Sequence, residues 1–143
     1  MSVSWSAKLA TGVPVLDAQH RELFVRVDAL LAAMAERRGN LHVARTFKFL
    51  DAYVEQHFRD EIQLMTDTGY PLVEGHRAAH DRFVAELRKL EGLLRAEGED
   101  AGTIVAVRAG RMLCDWLKGH IASSDRDFGS YLSTRVAPTV GVG

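Results

Sequence analysis

Apolar positions recur at helical spacing along most of the chain and divide it into four segments. After Asp17, the residues His20, Leu23, Phe24, Val27, Leu30, Leu31 and Met34 fall on one stripe. This predicts a first amphipathic helix with Asp17 as its N-cap, Arg37 and Arg38 complementing its negative end, and Gly39 as its stop. Asn40 can cap a second helix, striped by Phe47, Leu50, Val54, His57, Glu61, Leu64 and Met65 and ending near Thr68. A third, from about Leu72 to about Glu97, places His76, His80, Phe83, Leu87, Leu90 and Leu94 on one face, and Gly98 closes it. Asp100 or Thr103 starts the fourth, where Val105, Met112, Leu113, Trp116 and His120 share a side. Past Ser123 the pattern breaks.

Four helices of similar length joined by short turns predict an all-α fold, an up-down-up-down four-helix bundle forming one domain over 1–143. Residues 1–16 contain Gly12 and Pro14 without a sustained period and read as an N-terminal arm, anchored across the bundle by Trp5 and Leu9. Residues 17–132 form the bundle, and 133–143, rich in Val and Gly, a short C-terminal tail along the surface. A chain of 143 residues buries a sufficient core without disulfides or a structural metal, so any bound metal is functional.

Metal-ligand residue types crowd onto the inward stripes. His57 with Glu61, and His76 with His80, stand four residues apart, so each pair presents two donors on one helix face. The turn between them has Gly69 at a left-handed position and Pro71 suited to the first turn of the next helix. In an up-down bundle, His20 near the start of the first helix and His120 near the end of the fourth reach the same layer. Five of the six histidines thus converge, while His42 lies near the far end of the second helix as a solvated residue. Any one of them alone is an ordinary hydrogen-bonded core histidine. Several neutral imidazoles buried together lack partners unless a cation supplies one. Glu61 on the same stripe needs a metal or a base for the same reason. Asp125 is about 140° around a regular helix from His120, so it joins the site only where that helix is ending, and Asp127 competes with it on spacing.

Imidazole with carboxylate suits iron, zinc, copper or nickel. Seven donors exceed the needs of one ion, and no His-Glu-x-x-His motif marks a hydrolytic zinc site. The Glu-x-x-His pairs of ferritin-like carboxylate sites are absent too. Two metals with bridging carboxylates fit better. The formal charge of −1 carries no broad footprint for nucleic acid or anionic membrane. A lone cysteine, Cys114, fits a reducing compartment, and no signal-like or membrane-spanning stretch is present, so the expected location is cytoplasmic.

Across nearly its whole length the chain resembles the hemerythrins, most closely the single-domain bacterial ones. The resemblance rests on Trp5 with the run Leu9-Ala-Thr11-Gly12-Val13, on Leu16-Asp17-Ala-Gln19-His20, on His57-Phe-Arg-Asp-Glu61, on His76 with His80, and on Trp116-Leu117-Lys-Gly-His120-Ile121 followed by Asp125. It implies two non-haem irons, one held by His76, His80 and His120 and the other by His20 and His57. Glu61, Asp125 and an oxo or hydroxo group would bridge them, which selects Asp125 over Asp127. Ile62 and Asp28 depart from residues common in bacterial members, away from the site.

The same resemblance implies reversible dioxygen binding for storage, delivery or transport, with no enzymatic turnover. Leu117 would line the pocket, with Trp116, Phe24, Phe58 and Ile121 around it, although ordinary core packing explains the last four equally well. Anions such as azide would enter the diferric state. The competing functions are an oxygen or redox sensor acting through a separate protein partner, since no output domain is visible, and a di-iron enzyme handling peroxide or nitric oxide, for which no electron-donor path is visible.

Overall fold

The computed structural model describes residues 4–36, 40–97 and 102–142. A 3-10 turn, Ala7–Leu9, precedes helices α1 (Pro14–Ala35), α2 (Asn40–Asp67), α3 (Val73–Glu97) and α4 (Gly102–His120). A π-helical turn, Ile121–Asp125, then joins α4 to α5 (Arg126–Val142) without a break. Helix α1 packs on α2 and α4, and α3 packs on α2 and α4, which closes a four-helix bundle. No strand occurs among the described residues.

Three local readings of the sequence are corrected. Helix α1 starts at Pro14, whose fixed φ and missing N–H suit a first helical position. Asp17 therefore lies inside the first turn and is not its N-cap. Its carboxylate instead accepts hydrogen bonds from the Thr11 N–H at 2.8 Å, the Thr11 hydroxyl at 2.8 Å and the Gly12 N–H at 3.3 Å, tying the arm to the helix. Pro71 precedes α3, which begins at Val73. Residues 133–142 continue α5 as helix, so the expected surface tail is a helical extension. Arg37, Arg38, Gly39, Gly98 and Asp100, read as helix signals, lie outside the described residues, as do the side chains of Asn40, Thr103 and Val105.

The α2–α3 turn shows why the chain reverses where it does. The Gly69 N–H donates to the Thr66 carbonyl at 3.2 Å and the Tyr70 N–H to the Met65 carbonyl at 2.9 Å, with Gly69 at φ 69°. This is the paired closure of a Schellman motif, and Tyr70 packs in one apolar cluster with Met65.

Two apolar clusters flank the histidine layer. The larger holds Leu23, Phe24, Phe58, Phe83, Leu117 and Ile121 with residues further along the bundle, and the smaller holds Leu16, Met65, Tyr70 and Phe128. On α1, His20 falls between Leu16 and Leu23. On α2, His57 and Glu61 fall between Val54 and Met65, and on the fourth helical segment His120 and Asp125 fall between Leu117 and Phe128. Polar side chains are thus enclosed by hydrocarbon above and below.

Candidate metal centre

Each of the seven donors arrives from an inward helix position. His20 comes from α1, His57 and Glu61 from α2, His76 and His80 from α3, His120 from the end of α4, and Asp125 from the π turn. All seven are buried, with Glu61 and His20 fully so. His42 is exposed, as is Asp127.

The two carboxylates face both ways. Glu61 Oε1 meets His76 Nε2 in a short contact and lies 3.1 Å from His80 Nε2, while its Oε2 lies 3.4 Å from His57 Nε2 and 3.7 Å from His20 Nε2. Asp125 Oδ1 lies 3.1 Å from both His76 Nε2 and His120 Nε2, while its Oδ2 lies 3.0 Å from His20 Nε2. Two donor groups result, each with its ligand atoms within 4.8 Å of one another: His76, His80 and His120 with both carboxylates, and His20 and His57 with the same two carboxylates.

The π turn accounts for Asp125. An α-helix rotates a residue at i+5 well off the face of residue i, whereas a π turn closes i to i+5 and brings the two together. The helix does not end at the site, as the sequence pattern suggested; it widens there by one residue and resumes. Buried Phe128 continues the inward face beyond it.

The protein alone does not satisfy this cluster. His20 Nδ1 and Nε2, Glu61 Oε2, His80 Nδ1 and both Asp125 oxygens are buried without a hydrogen bond. His120 Nε2 lies 3.1 Å from His76 Nε2 and 3.2 Å from His80 Nε2, so three ring nitrogens crowd one space. Buried donors left without hydrogen bonds, beside ring nitrogens that can pair only with one another, are arranged to share a cation. A nitrogen and oxygen set of this kind fits iron.

Without metal the cluster polarises its own members. Burial works against a charged His20, but the Asp125 and Glu61 carboxylates outweigh it and raise its pKa to about 9. His76 behaves likewise, its burial overcome by Asp125 and Glu61, and also reaches about 9. Burial dominates at His57, lowering it to about 4, and it lowers His80. Burial also opposes ionisation of the carboxylates, yet His20, His76 and His80 hold Glu61 well below its ordinary value, and His120, His20 and His76 do the same for Asp125.

Aromatic rings wall one side. Phe58 stacks on His80 with centroids 3.6 Å apart, and Trp116 stacks on His120 at 4.3 Å. Phe83, which the sequence marked only as core, stacks on Trp116 at 4.1 Å. Leu117, Phe24 and Ile121 are buried in the same apolar cluster, and Trp116 is half-buried against it. Sequence reasoning also missed Gln19, whose Oε1 lies 2.7 Å from His57 Nδ1. Only its place beside His20 hinted at a role.

Residues 11–132 match the family Hemerythrin HHE cation binding domain. The chain is 29% identical over 126 residues to a bacteriohemerythrin of Pseudomonas paraeruginosa, covering 87% of this chain and 77% of that one. A hemerythrin-like protein of Naegleria gruberi is 26% identical over 125 residues, covering 87% and 89%. Among solved structures, a crystallised leucine-to-phenylalanine mutant superposes with a TM-score of 0.78 at 28% identity, covering 92% of this chain and 97% of that one. With the family match spanning the bundle and every donor of the buried cluster, the chain belongs to the hemerythrin family.

Proposed function

We propose that this chain binds dioxygen reversibly at a pair of non-haem iron ions and serves as an oxygen store or carrier, without enzymatic turnover, in the cytoplasm. The carrying observation is the unequal division of donors: three histidines on one side and two on the other, with Glu61 and Asp125 common to both. His76, His80 and His120 would hold one iron and His20 with His57 the other, Glu61 and Asp125 spanning the two with an oxo or hydroxo group between. The side with two histidines would retain a free position. Two ferrous ions held by these residues would supply one electron each, the two that reversible dioxygen binding draws on.

The remaining side chains bind nothing covalently; they exclude water. Leu117, Phe24, Phe58, Trp116 and Ile121 supply an apolar wall, and a dry surround is what keeps a bound redox centre from losing electrons to side reactions. Azide and similar anions would occupy the same position in the oxidised protein. No helix among the described residues is long and apolar enough to cross a membrane.

Metal analysis tests this reading. Ferrous iron added under nitrogen should give two irons per chain. One zinc per fully loaded chain with no iron uptake would overturn it.

A further inference from the structure

We infer that Gln19 is a positioning residue that fixes the tautomer of His57, and that Asp60 fixes the sense of Gln19. The inference rests on the di-iron reading only in taking His57 Nε2 as the ligating atom. A neutral imidazole carries one proton, and the nitrogen that binds a metal must be the one without it. His57 Nε2 faces Glu61 Oε2 at 3.4 Å. Acting alone, that carboxylate would draw the imidazole proton onto Nε2, the wrong nitrogen for ligation.

The opposing pull comes from Gln19. Its Oε1 lies 2.7 Å from His57 Nδ1, and an amide oxygen only accepts, so this contact places the proton on Nδ1 and leaves the Nε2 lone pair facing the centre. An amide can turn over, and a reversed Gln19 would favour the other tautomer. Asp60 prevents it: Gln19 Nε2 donates to Asp60 Oδ2 at 3.0 Å, and turning the amide would set oxygen against carboxylate oxygen. The chain of contacts runs from an exposed aspartate on α2, through a half-buried glutamine on α1, to the ligand on α2. His20 Nδ1 and His80 Nδ1 are buried with no such partner, so this control is not common to every histidine. It acts on the side with two histidines, where each ligand carries more of the binding.

The test does not use oxygen uptake. Long-range proton–nitrogen NMR spectra of metal-free, 15N-histidine-labelled protein at neutral pH report which nitrogen of His57 is protonated. Wild type should show the proton on Nδ1, Gln19→Leu should move it to Nε2, and Gln19→Glu combined with Asp60→Asn, which keeps an acceptor on Nδ1 without facing two carboxylates, should return it to Nδ1. Titration with ferrous iron under nitrogen should then show the second equivalent bound roughly 10- to 100-fold more weakly in Gln19→Leu, the usual range for loss of a histidine's outer partner, with the first unchanged. Asp60→Ala should give a mixture of tautomers. A proton on Nε2 in wild type overturns the inference, as does an unchanged tautomer with unchanged iron affinity in Gln19→Leu. Since the tautomer is read without metal, a wild type that took up only one iron would sink the proposed function and leave this result standing.

Discussion

His120 and Asp125 are five residues apart, yet His120 Nε2 and Asp125 Oδ1 stand 3.1 Å from each other because the helix between them opens into a π turn. Asp127, two residues further on, is exposed on the outer face. Asp125→Ala should therefore lower iron content below two per chain, and Asp127→Ala should leave it unchanged. Elemental analysis of both variants after anaerobic loading decides between the two aspartates, and equal iron loss in both would refute the assignment.

Metal loading should release protons near neutrality. In the metal-free protein His20 and His76 titrate at about 9, so both carry a proton at about pH 7.5 that metal must displace. Their raised values add stability that is complete below 6.5 and lost as pH rises through about 9. His57, lowered to about 4, and His80, also lowered, remove stability as pH falls below 6.5, and the depressed carboxylates add to that loss at lower pH. Metal-free protein should melt highest near pH 6.5 and lower on either side. Calorimetric iron titrations in buffers of different ionisation enthalpy give the proton count, and no release at pH 7.5 would contradict the charge distribution.

Leu117 is buried one turn before His120, in the cluster beside the ligand layer. Leu117→Ala should lower stability by about 2–5 kcal/mol, as core truncations do. If Leu117 keeps water from the centre, the variant should also load two irons normally, autoxidise faster and admit azide more quickly. Stopped-flow traces of fully loaded protein with both rates unchanged would return Leu117 to ordinary packing.

Besides its hydrogen bonds to Asp17, the arm approaches α5 closely. A Cβ added at Gly129 would stand 2.1 Å from the Thr11 carbonyl oxygen, whereas one at Gly75, on α3, meets nothing within 4 Å. Gly129→Ala should force the arm or α5 to shift and cost about 1–3 kcal/mol. Gly75→Ala should instead stabilise by roughly 0.4–1 kcal/mol through lost unfolded-state freedom. Denaturant melts of the pair make the comparison, and equal effects would mean the arm is not packed as described.

The ligand histidines were legible because helical spacing forces them together. His57 with Glu61 and His76 with His80 need only a period of 3.6 residues and a reversal, and Gly69 marks that reversal. Asp125 was not legible from spacing, because the same period rotates it away from His120; only the resemblance to hemerythrins singled it out. The π turn also hid α5, since one extra residue shifts the phase of everything after it and makes a continuing stripe read as a break. Asp17 illustrates a different limit. A carboxylate before an apolar stripe signals a cap, but here the Thr11 and Gly12 N–H groups, outside the helix, compete for it. Gln19 stood in the run that carries the resemblance, but its role was not legible because that role lies in a contact between helices, with partners 38 and 41 residues away in sequence.

The central claim is reversible dioxygen binding, and an absorption spectrum recorded under nitrogen, then air, then nitrogen again addresses it most directly. Protein reduced and loaded with two ferrous ions should be nearly colourless, develop a visible charge-transfer band in air, and lose it when the gas phase is returned to nitrogen. A spectrum that never changes in air, or that changes once and cannot be reversed without added reductant, would contradict an oxygen-carrying role.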